Sequence, residues 1–412
     1  MDQSATGAPG AFVARIEPGV AAIDPAVWDG LSGADDPFLS HAFLSLLEES
    51  GSVGPGTGWQ PAPVLLMGAD AAGEESGADS GPDSGANSAP VNAPVIGPII
   101  GAAPAYVKQH SQGEYVFDHG WADAWQRAGG QYYPKLQIAV PFTPVTGRRL
   151  LAGDGHRAAL IAALEGVVTQ NGLSSAHATF ITAQEVEDFR AANWLIRQDC
   201  QFHWQNRGYA DFEDFLAALS SRKRKDLRKE RAAAQSAVRV EAVTGAAILP
   251  HHWDIMWACY QDTGARKWGS PYLTRQAFDL MGQRMADRIL LIIAYDRDGG
   301  QPVAGALNAI GKQALYGRYW GCLAHVPHLH FELCYYQAID FALAHGLSRV
   351  EAGAQGGHKL ARGYEPMPTY SAHFIPHRGF RAAVADFLEH ERAAVRSQSA
   401  MMADHTPFRH AD

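Results

Sequence analysis

Hydrophobic positions along the chain change period several times, and each change predicts an element. Pro63–Met67 (PVLLM) and Ile99–Lys108 (IIGAAPAYVK) are apolar runs of strand length. Between them, Ala69 to Pro90 hold no side chain larger and more apolar than Ala apart from Pro, so ordering them brings too little burial to offset the entropy. The two runs therefore read as a hairpin interrupted by a disordered insertion, placed at 69–95. Such insertions at strand tips cost little, because loop-closure entropy grows only logarithmically with length.

A similar order returns downstream. Leu290 to Gly321 reads as a strand, an Asp298-Gly299-Gly300 turn, a strand containing Gly305-Ala306, then Lys312 and an aromatic strand. The earlier segment matches Gly101-Ala102 to Gly305-Ala306, Lys108 to Lys312, and YVFDHGW (115–121) to LYGRYWG (315–321). Each copy continues into a helix and a strand: WADAWQRAGG then KLQIAV, and PHLHFELCYYQAIDFALAHG then SRVEAG. The chain thus reads as two related α/β units, with chance similarity of two hairpins as the alternative. In the second copy Leu329, Leu333, Tyr336, Ile339 and Leu343 recur at helical spacing between Pro327 and Gly346, predicting a buried helix over 328–345. Glu332 is the odd residue there, expected to be paired, functional, or an exposed helix-start carboxylate.

Asp211 to Gln235 is helix-like, and within it Arg222–Arg231 carries seven basic against two acidic residues, a net +5. Arg222, Arg224, Lys225 and Arg228 are candidates for contacting phosphates of a nucleotide, a coenzyme or RNA. A solvated helix face is the plainer account. No aromatic residue interleaves the run to stack bases.

Length and composition then bound the whole. At 412 residues the chain exceeds the roughly 250–300 at which a single core stops growing. The expected division is an N-terminal domain at 1–190, a connecting segment with the basic helix at 191–237, a C-terminal domain at 238–380, and a helix and tail at 381–412. No apolar run approaches the ~18 residues of a membrane span, and the N-terminus lacks the look of a signal peptide, so a cytoplasmic protein without a membrane span is expected. The four cysteines form no CxxC pair and read as free thiols. The net charge of −9 owes five carboxylates to the polar insertion and so says little about partners.

The most reactive stretch is Glu351–His373, EAGAQGGHKLARGYEPMPTYSAH, where bases and cations alternate with glycines that no helix would tolerate. Lys267 beside Trp268, ahead of a Gly-Ser-Pro turn, is a second candidate anion contact. HVPHLH (325–330) has imidazoles, but His328 and His330 fall on opposite sides of a helix start and no acidic or Cys partner has metal spacing, so no metal is expected. Motifs of the GxSxG, HExxH, GxxxxGK[ST] and GxGxxG types do not occur.

Taken together, YVFDHGWADAW, YYPKLQIAVPFTPVTGRRLL, FHWQNRGYADFEDFLAALSSRKRKDLRKER, RKWGSPYLTR and EAGAQGGHKLARGYEPMPTYSAH closely resemble the FemAB-like N-acyltransferases, peptidoglycan biosynthesis or recognition proteins of the GNAT superfamily, over nearly the whole chain. The resemblance implies an α/β (α+β) protein: a tandem of two GNAT-like domains, each a mixed twisted sheet flanked by helices, the second carrying the chemistry. It implies transfer of an acyl or aminoacyl group from acyl-CoA or aminoacyl-tRNA to a small-molecule or peptide amine, with tRNA as a possible partner. GNAT enzymes place a glycine-rich loop on the CoA pyrophosphate, whereas the matching position here reads HVPHLHFE. Either donor requires amine deprotonation and oxyanion donors. Glu351 and His358 are the candidate bases, Tyr364 and Tyr370 candidate proton donors. Lys359, Arg362, Gln355, Glu365 and Glu332 are candidate substrate contacts, joined by Asp118 and His119 from the first unit. The alternative is a non-catalytic recognition module of degenerate transferase fold that binds a peptide, nucleotide-sugar precursor or RNA.

Overall fold

The computed structural model describes residues 12–69, 96–267, 271–353, 357–403 and 406–409. The insertion expected at 69–95 lies, after its first residue, outside them. The first half contains β1 (Val13–Ile16), β2 (Trp59–Pro61), β3 (Val64–Ala69), β4 (Ile96–Ala103), β5 (Ala105–Lys108), β6 (Lys135–Ile138), β7 (Leu151–Ala152) and β8 (Ala176–Ile181). Then come β9 (Leu195–Gln205), β10 (Val238–Thr244), β11 (Ile289–Asp296), β12 (Pro302–Ile310), β13 (Ala314–Cys322), β14 (Arg349–Glu351) and β15 (Tyr364–Phe374). One sheet has the order β1-β3-β4-β7; the other runs continuously through both halves as β10-β11-β12-β13-β14-β9-β15-β8-β6-β5-β2.

The expected hairpin forms as the antiparallel β3–β4 pair, Leu66 facing Gly101. In the second half β11 shows why a run such as ILLIIAY is apolar throughout: both faces are covered. Leu291, Ile293 and Tyr295 pack with Trp253, Met256 and Phe278 of the helices Pro250–Lys267 and Arg275–Arg284. The alternating Leu290, Ile292 and Ala294 pack with Leu333, Tyr336 and Ile339 on the opposite side. Those last residues belong to the predicted buried helix, which runs as Leu329–Phe331, a π turn Glu332–Tyr336, and Gln337–Ala344.

Each half has one parallel strand pair joined by a crossover helix: β6 and β8 through Arg157–Gln170, β13 and β14 through the helix containing the π turn. This revises the alignment of the repeat. The first-half counterpart of the buried helix is Arg157–Gln170, not His119–Arg127. The segment 115–121, matched by sequence to an aromatic strand, is instead loop and helix start, with Tyr115 in the left-handed region at φ 58°.

The segment expected as a connector supplies β9, which inserts between β14 and β15, while β15 in turn pairs with β8 of the first half. The helix Arg378–Ala403 crosses β9 and buries Phe380, Val384 and Leu388 against Trp121 and Tyr132. Glu391 there pairs with Arg197 at 2.6 Å. Residues 406–409 then return to the other half: the Ser220 N–H donates to the Pro407 carbonyl at 2.9 Å, and the Phe408 ring lies 3.7 Å from where a Cβ on Gly363 would sit.

Candidate active site

A wedge in the long sheet sets up the site. β13 pairs with β12 along its whole length but with β14 only at Ala314, Leu315 and Tyr316. Past Tyr316 the two parallel strands diverge, and the β14-facing backbone of Gly317–Trp320 has no strand partner among the described residues. The divergence coincides with a β-bulge: Leu307 faces Tyr319 and Asn308 faces Gly317, so Arg318 is the extra residue. A bulge re-aims side chains and frees backbone groups, and here it opens into a cleft of about 820 Å³ between the two halves. Gly317, Arg318, Tyr319, Trp320, Ala352 and Gly353 form the wedge side. Trp59, His110, Tyr115, Phe117, His119 and Phe142 form the facing wall, and no described lining residue is a carboxylate.

That facing wall is a loop fastened by buried charge. The Lys135 ammonium donates to Asp118 Oδ2 at 2.5 Å and to Ser111 Oγ at 2.8 Å, and lies 3.3 Å from Glu114. Lys108 sits 3.7 Å from Glu114, 3.6 Å above the Trp59 ring, and donates to the Gln112 carbonyl at 2.9 Å. The Tyr132 hydroxyl adds a 2.7 Å bond to Asp118. All four charged side chains are buried. Burial lowers Lys108 to about 7 and raises Glu114. For Lys135 burial acts downward but is outweighed by Asp118 and Glu114, which raise it; burial acts upward on Asp118 but is outweighed by Lys135, which holds that carboxyl well below the usual range. A buried ion cluster of this kind gives little net stability but strongly penalises loss of one partner, so it holds residues 110–118 in one arrangement. Sequence reading missed Glu114 and Lys135; the one signal was a lysine, Lys108, ending an otherwise apolar strand.

The predicted site residues separate into three groups. Near the cleft, His119 and Tyr335 line it, and the Tyr335 hydroxyl meets His358 Nε2 at 2.8 Å. Burial raises the Tyr335 hydroxyl, which stays protonated. Lys359 donates to the carbonyl of Gly353 at 2.8 Å, and burial lowers its ammonium to about 8. A second group is used within the fold. Glu351 is buried on β14, accepting from Arg349 Nε at 2.8 Å with His203 3.6 Å away. Asp118 belongs to the lysine cluster. Arg362 grips Glu230 at 2.8 and 2.9 Å and lies 3.3 Å over the Phe331 ring. Glu365 pairs with Arg207 at 2.6 Å. Glu332 is fully buried rather than at an exposed helix start, accepting from Gln235 and Gln337 at 2.9 and 2.7 Å. Tyr364, expected to donate a proton, is fully buried, its hydroxyl has no hydrogen-bond partner among the described residues, and burial raises that hydroxyl far above its usual range, so it packs rather than reacts.

The third group lies apart from the cleft or outside what is described. Lys267 ends the helix Pro250–Lys267, whose Thr263 and Gly264 line the cleft, but its side chain, like Gln355 and Trp268, falls outside what is described. Arg222, Arg224, Lys225 and Arg228 lie on the helix Ser221–Ala237. Arg228 pairs with Glu213, and Arg231 pairs with Asp340 and covers Phe212. Arg222, Lys223, Arg224, Lys225 and Lys229 have no ion pair among the described residues. A hollow of about 270 Å³ separates this helix from His328 and Arg362. Among the described residues no group of His, Cys, Asp or Glu has a metal-holding arrangement, and no helix is long and apolar enough to cross a membrane.

A parallel strand pair with its crossover helix in each half, the two halves facing one another across a cleft and joined by one long mixed sheet, defines a fold of two related α/β units. The chain belongs to the FemAB-like family, described as peptidoglycan biosynthesis/recognition, whose sequence model matches residues 19–410. Its fold is shared with the crystal structure of FemX, at 10% identity and a TM-score of 0.52 over 88% of this chain and 98% of that one. L-PGS from Bacillus licheniformis (8% identity, 87% and 98% covered, TM-score 0.46) and a tandem GNAT protein from the clavulanic acid biosynthesis pathway (11%, 89% and 98%, TM-score 0.42) are also similar. No protein of curated function matches the chain by sequence.

Proposed function

We propose that the protein is a cytoplasmic N-acyltransferase that passes an acyl or aminoacyl group directly from an activated donor to an amine, in peptidoglycan-related metabolism. The wedge between β13 and β14 carries this reading, because it presents unpaired strand backbone to a cleft large enough for two substrates. A donor chain laid along β13 finds main-chain N–H groups at the Arg318 bulge to take the developing oxyanion. With no carboxylate among its described lining residues, the cleft does not stabilise an ammonium ion, so the acceptor amine enters neutral. Its nitrogen attacks the carbonyl carbon, the C–N bond forms and the C–S or C–O bond of the donor breaks. The leaving group takes the Tyr335 proton, and the proton lost by the amine returns through the Tyr335–His358 pair.

Acyl-CoA and aminoacyl-tRNA both meet these demands. The cations of Ser221–Ala237 that lack ion pairs among the described residues favour a donor or partner rich in phosphate. One observation favours the competing reading, a recognition module without turnover: Glu351, Arg362 and Glu365 are held in ion pairs instead of facing the cleft. The same experiment separates the two. The protein is assayed for release of CoA from acetyl-CoA and of free tRNA from aminoacyl-tRNA, with amine-bearing cell-wall precursors as acceptors. Tyr335→Phe and His358→Ala are expected to lower turnover by about 10²–10⁴ while donor binding persists. Binding without turnover by the unaltered protein would establish the recognition module.

A further inference from the structure

We infer that the cleft contains a receptor for an anionic group of the acceptor, a carboxylate or phosphate, formed by Arg318 with the hydroxyls of Tyr115, Tyr260 and Tyr319; the term acceptor rests on the transferase reading, the anion site does not.

Arg318 is the only lysine, arginine, aspartate or glutamate among the described lining residues of the cleft. Several buried or half-buried cations of the molecule have carboxylate partners: Lys135 has Asp118, Arg362 has Glu230, and Arg349 has Glu351. Arg318 has none among the described residues. Its guanidinium donates to the Phe142 carbonyl across the cleft and lies 5.5 and 5.7 Å from the Tyr319 and Phe38 rings. Five N–H donors in a fixed fork, used here only on neutral oxygens, the Phe142 carbonyl and the Tyr319 hydroxyl, suit a carboxylate or phosphate oxygen pair.

The hydroxyls around it are donors as well. The Tyr260 oxygen accepts from the N–H groups of Tyr272 and Leu273, both at 3.0 Å, which leaves its own proton to be given elsewhere. Burial raises Tyr260 to about 12 and also raises Tyr115 and Tyr319, and the Arg318 charge acts on the latter two hydroxyls. Three protonated phenols and a guanidinium thus surround one region with no carboxylate among its described lining residues. The backbone points the same way. Tyr115 and Phe142 both line the cleft and both hold φ at 58°, a conformation costly for a bulky aromatic residue. Strain of this kind persists only where surrounding structure enforces it and clusters at functional sites; beneath Tyr115 the buried lysine cluster supports residues 110–118, and the Phe142 N–H donates to the Gly113 carbonyl of that loop at 3.2 Å.

The test is a thermal-shift titration of the full chain, without donor and at constant ionic strength. The probes are alanyl-alanine, alanyl-alanine amide and inorganic phosphate. The free-acid dipeptide or phosphate is expected to raise Tm, the amide to have no effect, and Arg318→Gln to abolish the shift. Tyr115→Phe and Tyr260→Phe, which keep their rings, are expected to weaken the response at least threefold and carry the test if the arginine variant does not fold. Equal shifts with acid and amide, no shift with either anion, or a shift that survives both tyrosine changes would overturn the site. Failure of the transferase reading would look different: anion binding intact, with no turnover.

Discussion

At the level of single residues, charge was visible in the sequence but its employment was not. Lys359 was a candidate substrate contact, and the structure buries it with the Gly353 carbonyl as its hydrogen-bond acceptor. The unfolded chain keeps that proton up to its ordinary pKa of about 10.4, whereas the folded protein releases it near 8 because burial disfavours the ammonium. Between those values the unfolded state binds more protons, so stability rises with pH, by at most about 1.4 kcal/mol per unit. Below 8 the cost of the buried cation is present in full. Lys359→Met is therefore expected to be more stable relative to wild type at pH 7 than at pH 10, the gap narrowing through that window in urea denaturation; a gap independent of pH would refute the buried ammonium. Glu351, Arg362 and Tyr364 teach the same lesson. A reactive residue type in a glycine-rich stretch is visible locally, but whether it faces a cleft or an ion partner depends on strands distant in the chain. His358 was legible as a candidate, yet its partner Tyr335 was read only as part of a helix.

Secondary-structure elements were more legible, because period and punctuation are local properties. The apolar run of β11, the helix after Pro327 and the strands flanking the insertion all appear where the pattern put them. The Gly-Ala and aromatic strands were noticed as a repeat, and in the second copy packing supplies the reason for a glycine in each. A Cβ on Gly321 would fall 1.8 Å from the Cys259 carbonyl oxygen, main chain of the helix Pro250–Lys267, whereas one on Gly305 would meet the Met256 sulfur at 3.2 Å. The first obstacle is backbone and cannot yield; the second is a flexible side chain. Gly321→Ala is expected to destabilise by about 3 kcal/mol or more and Gly305→Ala by about 1 kcal/mol or less, measured as shifts in denaturant midpoint. Similar midpoints for the two would show that the helix is free to move off the sheet. What the pattern misjudged was the aromatic segment 115–121, whose strand-like composition is overruled by the lysine cluster that bends it into the cleft wall.

For the molecule as a whole, two units were expected, joined by a connector. The sheet shows them sharing strands: β9 precedes the second unit in sequence but lies between its β14 and β15, and β15 closes onto β8 of the first. Removing either strand leaves long edges with unpaired backbone groups. The fragment 1–190 is consequently expected not to fold as a stable monomer, and the full chain to unfold in one calorimetric transition. Two separable transitions, or a folded, soluble fragment, would show that the units are independent.

The amino-acid sequence by itself determined the family, the repeated α/β pattern and the main buried elements, since hydrophobic period, turn residues and long unusual motifs are written in contiguous residues. Only the tertiary structure decided where the chemistry gathers. The wedge at Arg318, the cleft with no carboxylate among its described lining residues and the lysine cluster behind its wall join residues some two hundred positions apart, and a burial cost or an ion partner exists only once those strands have met.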